Sequence, residues 1–231
     1  TATNRDTPAR IGTESWIAVT AGAMHTAAIK ADGTLSTWGH SANGRLGHDI
    51  RQEHKPVQVG LDTWEAVAAG SSHTLGIKSD GTLWAWGKNS YGQLGDGTTD
   101  DRDRPTKVGS DTWRSVAAGD GFSLAIKADG TLWTWGWNRY NQLGDGTTID
   151  RHVPTQIGSD TWTNIGGGQH HSVAIKSDGT LWSWGRNVNV GLGDGTNASH
   201  SSPIQIGSGT WTDISVGYWH TIAIATPAFG F

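Results

Sequence analysis

The sequence predicts an all-β protein, a β-propeller of four-stranded antiparallel blades, on three observations. An Asp-Gly dipeptide between alternating apolar runs begins at Asp32, Asp80, Asp129 and Asp178, in steps of 48, 49 and 49 residues. Trp16, Trp64, Trp113, Trp162 and Trp211 keep the same beat, as do Pro8, Pro56, Pro105, Pro154 and Pro203. The 231 residues include 34 Gly and 14 Trp but no Cys, a makeup that suits short strands, tight turns and indoles in place of aliphatic bulk. A fixed period of about 40 to 50 residues with four strands in each lets every blade cover its neighbour and leaves few free edges.

Within a period the elements follow in order. The first strand comes after the proline, as in residues 105–109, because Pro at a strand start removes no ladder donor. The second opens at the ruler Trp, as in 113–119, where small residues suit a crowded position. The third, 123–127, is closed by Asp129-Gly130. Asp-Gly between alternating runs signals a two-residue type I′ turn with Gly in the second positive-φ place. The fourth, 132–136, alternates so that Trp133 and Trp135 share a face. A Gly-rich loop, 141–148, leads to the next proline. The periods fall at about 8–55, 56–104, 105–153, 154–202 and an incomplete 203–231, all in one domain spanning 1–231. Five Trp-led strands but only four Asp-Gly hairpins predict five blades closed by the chain termini, with residues 228–231 or 1–7 supplying the missing strand. A fragment of a larger ring, or self-association of copies, is the alternative.

Composition excludes several function classes. A net charge of −4, with 16% charged residues and no Lys/Arg cluster, argues against a nucleic-acid surface. No run of about 18 apolar residues is present to span a membrane, and residues 1–6 lack the apolar core of a signal peptide. Without Cys there is no disulfide, thiol nucleophile or thiolate metal site. Glu14, Glu53 and Glu65 are the only glutamates, and none has a convincing acid partner. Gly-x-Ser-x-Gly, Walker and His-Glu-x-x-His motifs are absent, so the expectation is a non-enzymatic protein without cofactor.

From Gly70 to Gly95 the chain reads Gly-x-x-His-Thr-x-x-Ile-Lys-x-Asp-Gly-Thr-Leu-Trp-x-Trp-Gly-x-Asn-x-x-Gly-Gln-Leu-Gly. This resembles the repeat of the regulator of chromosome condensation family, and the resemblance covers essentially the whole chain. It implies a β-propeller of four-stranded blades, although that family's rings usually have seven and this chain has material for at most five. Family members include a chromatin-binding guanine-nucleotide exchange factor, bacterial inhibitors of β-lactamase and a plant ultraviolet-B photoreceptor. Exchange would need a long inserted wedge, and no repeat here carries a large insertion. The photoreceptor's Gly-Trp-Arg-His-Thr pattern is approached only by Gly217-Tyr218-Trp219-His220-Thr221, which lacks the Arg. The plain Gly-Asp-Gly-Thr-Thr copies resemble those of bacterial and environmental proteins, which implies an extracellular or cell-surface setting.

Three groups of residues invite chemistry. His25, His73, His171 and His220 recur at one repeat position, with Phe122 in the third copy. Imidazoles around an axis suit zinc or nickel, but the repeat position and the Phe favour each His bonding a loop backbone within its own blade. Asp96, Asp145 and Asp194 lack the ligand spacing of a calcium loop and read as turn formers, so no metal site is expected. The repeated Trp side chains, Trp84 and Trp86 among them, read as packing between blades. Aromatics that break the repeat point to a contact surface instead. Trp137 stands where other copies have His40, Lys88 and Arg186; Tyr91, Tyr140, Tyr218 and Trp219 lie in loops beside the hairpins; Met24 takes the place of Ser72 and Trp219. The function expected is a recognition or scaffold module that binds a protein partner through a loop-rich face. A secreted, lectin-like glycan binder is the alternative, with a hydrolase ranked behind both.

Overall fold

The structure, a computed structural model, describes residues 6–49, 53–188 and 190–226. Apart from a short 3-10 turn at Ala42–Gly44, its regular elements are all strands. Strands β1 (Trp16–Ala21), β2 (His25–Lys30), β3 (Thr34–Gly39) and the first half of β4 (Glu53–Ala69) form one antiparallel meander. The second half of β4, β5 (His73–Lys78), β6 (Thr82–Gly87) and the start of β7 (Arg102–Ala118) form the next. The remainder of β7, β8 (Phe122–Lys127), β9 (Thr131–Gly136) and the start of β10 (Arg151–Gly167) repeat the pattern. The end of β10 then pairs with β11 (His171–Lys176), followed by β12 (Leu181–Gly185) and β13 (His200–Gln205). A fifth unit contains β14 (Trp211–Val216) and β15 (Thr221–Ala225).

The proline segment and the Trp-led segment are therefore two halves of one 17-residue strand, and they serve different units. In β7, Arg102 and Thr106 pair with Gly87 and Ala85 of the preceding unit, whereas Trp113 and Val116 pair with Lys127 and Ala125 of the following one. Gly109, at φ +61°, turns the chain between the halves without ending its extended run. Each meander thus consists of a Trp strand, a His strand, a Leu-Trp strand and the next proline strand, with neighbouring units joined covalently.

The Asp-Gly turns differ from the expected type I′. Gly81 has φ +79°, but Asp80 does not take a positive φ. The Gly81 N–H donates to the Lys78 carbonyl at 2.8 Å, closing a three-residue loop with only its last residue left-handed. Asp80 is held by its own side chain, whose Oδ1 accepts the Thr82 N–H and hydroxyl at 3.0 and 2.6 Å. A Cβ on Gly81 would meet Thr112 at an ordinary 3.5 Å, so only the backbone objects to substitution. Gly81→Val is expected to destabilise the fold by about 1–2 kcal/mol, the left-handed penalty; an unchanged melting temperature would contradict this.

Four hydrophobic clusters lie at the four junctions between successive units. Trp86, Trp135 and Trp184 are fully buried there, each donating its indole N–H to a loop carbonyl of the preceding unit: Arg45 at 3.1 Å, Gln93 at 2.9 Å and Gln142 at 2.9 Å. Their partners Trp84, Trp133 and Trp182 are only half-buried. Lys78, Lys127 and Lys176 cover those rings, with Nζ 3.5, 3.6 and 3.7 Å from the ring centres. Only one of the two indoles in each pair is thus a core residue.

Closure by the termini is expected of residues 228–231 or 1–7; residues 228–231 and 1–5 lie outside the described residues, and Asp6 and Thr7, which are described, are not in a strand. Among the described residues the strand order runs from β1 to β13 without returning, and β14–β15 form a separate two-stranded sheet. Ile17 and Val19 on β1, and Ile222 and Ile224 on β15, remain more than half exposed. Among the described residues no helix is long and apolar enough to cross a membrane.

Candidate interaction face

In an antiparallel meander alternate connections share an end. The turn from the Trp strand to the His strand and the loop after the Leu-Trp strand consequently emerge on one face of every unit. The Asp-Gly turns emerge on the opposite face, so Tyr91, Tyr140, Tyr218 and Trp219 lie across the molecule from those turns and not beside them. This common face carries all six aromatic and Met candidates, five of them from repeats two, three and five. Met24 occupies the corresponding turn of the first repeat and is 64% exposed.

The rings form a connected row. Tyr91, from the β6–β7 loop, stacks on Trp137 of the β9–β10 loop at 5.1 Å and 17°. Gly121 makes room for this contact, since a Cβ there would come within 3.3 Å of the Tyr91 ring. Trp137 meets Tyr140 edge-on at 5.4 Å and His170 at 5.2 Å, and Tyr140 lies 4.4 Å from His170. Arg186, from the β12–β13 loop, lies over Tyr140 at 4.8 Å, with Nη1 3.5 Å from His170 Nδ1. Burial, reinforced by the Arg186 charge, lowers the His170 pKa and favours a neutral ring.

Beyond His170 a chain of hydrogen bonds continues the row into the fifth unit. Trp219 Nε1 donates to Gln169 Oε1 at 2.6 Å, and Gln169 Nε2 donates to the Tyr218 hydroxyl at 2.6 Å. That hydroxyl donates in turn to Asp120 Oδ2 at 3.3 Å. Burial, then the Asp120 charge, raises the Tyr218 pKa. Tyr218 and Trp219 are 47% and 57% exposed, so the bonds fix their orientation while leaving their ring faces open. His170, Arg186 and Gln169 were not among the sequence candidates. The rule that singled out Trp219, an unusual residue just before the repeat His, applies equally to His170.

The repeat histidines act differently from the expectation. His25 Nε2 lies 2.9 Å from Thr74 Oγ1, His73 Nε2 3.0 Å from Ser123 Oγ and His171 Nε2 3.3 Å from Thr221 Oγ1, each on the next unit rather than in a loop of its own. The hydroxyls donate onward to the carbonyls of Arg45, Gln93 and Gly191. Each must therefore accept from the imidazole, which assigns the proton to Nε2. These histidines staple neighbouring units.

The loop carboxylates form turns. Asp96 Oδ1 accepts from the N–H and hydroxyl of Thr98 and from Asn89 Nδ2, while Oδ2 pairs with Arg102 at 2.6 Å. Burial alone would raise the Asp96 pKa, but the Thr98 and Arg102 bonds outweigh it and hold the carboxyl below its ordinary range. Asp145 repeats the arrangement with Thr147, Asn138 and Arg151. Among the described residues no group of three or more His, Cys, Asp or Glu is placed to hold a metal.

The inner strands of all five units converge on one cavity of about 510 Å³, lined largely by small residues such as Ala21, Ala69, Ala118 and Gly167, with Tyr218 also on its wall. No curated protein sequence matches the chain. Among solved structures, human WBSCR16 superposes with a TM-score of 0.85 at 23% identity, over 93% of this chain and 58% of its own. Prp20p from Saccharomyces cerevisiae gives 0.84 at 21% identity, over 95% and 58%. The ectodomain of the Arabidopsis thaliana receptor kinase ACR4 gives 0.56 at 14%, over 93% and 60%. The chain thus spans less than two thirds of each structure, and at these identities the likeness is one of fold. The RCC1-like domain model matches residues 1–223, nearly the whole length, and by that match the chain belongs to the RCC1-like domain family.

Proposed function

We propose that this chain is a non-enzymatic recognition module that binds a protein partner through the face bearing Tyr91, Trp137, Tyr140, Tyr218 and Trp219. One observation carries the reading: Trp137, Tyr218 and Trp219, which depart from the repeat, fall in a single row with Tyr91 and Tyr140, which share one repeat position, and with His170 and Gln169 the row crosses four units. Residues under selection for packing alone would follow the repeat, as Trp86, Trp135 and Trp184 do. Oriented, partly exposed aromatic rings are the side chains that dominate binding energy at protein interfaces. Prp20p, studied for binding to Gsp1p and histones and solved with Kap60, supplies a precedent for protein binding on this fold.

The test is affinity capture with the chain and with its Trp137→Ala/Trp219→Ala variant, followed by titration of the captured partner. Loss of the two anchors is expected to weaken that partner at least tenfold. Equal retention by both proteins would remove the face from the proposal, and saturable binding on a glycan array without a protein partner would favour the lectin-like alternative. Closure of the five units into one ring is part of the same proposal, supported by the convergence of all five inner strands on one cavity. A solution mass well above that of one chain would count against it.

A further inference from the structure

We infer that the cleft between the fourth and fifth units is a carboxylate-recognition subsite, and that the partner segment docked there is acidic, an Asp or Glu side chain with apolar neighbours. The inference rests on the reading of this face as protein-binding and supplies the partner's chemistry.

Arg186 carries the argument. Its side chain is half-buried and its guanidinium is stacked on Tyr140, yet among the described residues no Asp or Glu forms a salt bridge with it. Arg102 and Arg151, at the starts of β7 and β10, each hold a carboxylate, at 2.6 and 2.7 Å. The chain has 21 acidic residues against 17 Lys and Arg, so carboxylates are not scarce. A guanidinium pinned by an aromatic face keeps its donors pre-oriented, and apart from the 3.5 Å contact of Nη1 with His170 Nδ1 no side-chain acceptor among the described residues engages them, the geometry that suits a carboxylate. Lys88, 5.8 Å from the Tyr91 ring, and Arg139, 5.9 Å from Tyr140, add positive charge along the same row.

The cleft's size selects the kind of ligand. Lined by Gln169, His170, Arg186, Val188 and Trp219, it encloses about 20 Å³, room for one small polar group and not for a metabolite. A larger body must therefore present that group from outside. Gln169 is committed to Tyr218 and Trp219, and His170 is held neutral. Arg186 is then the charged donor at the cleft, while exposed Trp219 and Val188 form an apolar rim for the flanking residues.

The test is a nitrogen-15 NMR titration of the full chain with two end-blocked peptides, Gly-Leu-Glu-Leu-Gly and Gly-Leu-Gln-Leu-Gly. The Glu peptide is expected to shift the Arg186 Nε–H and the Trp219 indole N–H saturably, at least tenfold more tightly than the Gln peptide. Arg186→Gln should abolish the discrimination and Arg186→Lys should keep part of it, with an unchanged Trp135 indole resonance reporting an intact fold. Equal binding of both peptides at the row would overturn the anionic chemistry while leaving a protein-binding face. No shift at Arg186 or Trp219 with either peptide would overturn the subsite, whatever the capture experiment finds.

Discussion

Lowering the pH from 7 to 5 is expected to weaken this fold by about 6 kcal/mol, with the loss concentrated at three of the four repeat junctions. Burial pushes His25 and His171 down to about 4 and His73 to about 3, from an ordinary value of 6.5. Between those values the unfolded chain binds protons that the folded chain refuses, so stability rises with pH across the window and falls as acid is added. Each histidine loses about 2 kcal/mol by pH 5, a large share when whole domains hold about 5–15 kcal/mol. The turn carboxylates do not blunt the effect. Asp96 and Asp145 are held below the ordinary carboxylate range and stay ionised throughout the window. The junction between the third and fourth units, where Phe122 replaces the repeat His, has no such staple to protonate. His73→Phe copies that natural arrangement and should remove about a third of the pH dependence. Urea unfolding of both proteins at pH 7 and pH 5 measures it; parallel losses in the two would show that the staples are not the titrating groups.

The same staples show what a sequence read on its own yields and withholds. Their recurrence was plain in the spacing, but the acceptor lies 49 or 50 residues away, on the next unit. A signal was present nonetheless: the residue after each repeat His or Phe is always Ser or Thr, at Thr26, Thr74, Ser123, Ser172 and Thr221. Strand content was legible because Asp-Gly turns and Trp alternation are local patterns. The joining of the proline and Trp segments was not, since Gly109-Ser110-Asp111 reads as a turn although the chain stays extended through it. In the candidate face, departure from the repeat identified Trp137, Tyr218 and Trp219, and an aromatic ring in a loop identified Tyr91 and Tyr140. It missed Arg186 because a basic residue at that position looks ordinary beside Lys88 and His40; only its stacking on Tyr140 sets it apart.

Asn138→Ala is expected to cost about 3–5 kcal/mol, more than the loss of a single hydrogen bond, because one side chain organises a whole loop. Asn138 is fully buried, and its Oδ1 accepts the Leu143 N–H at 3.0 Å. Its Nδ2 lies within 3.2 Å of Asp145 Oδ1 and of the carbonyls of Thr147 and Ile149. Truncation strands a buried N–H and several acceptors together, each carrying a penalty of about 1–3 kcal/mol that water entering the cavity only partly relieves. Asn138→Asp separates shape from donation. It retains the acceptor for Leu143 but turns the amide's attraction for Asp145 and the two carbonyls into repulsion, and should destabilise at least as much as Ala. Urea unfolding of both variants checks the order; an Asp variant near wild-type stability would show that the amide does not donate as assigned. The consequence reaches the binding face, because this loop begins beside Trp137 and holds Tyr140 through its N–H bond to Gln142 Oε1 at 2.9 Å. An amide that touches no partner would then be required for two of the rings proposed to do so.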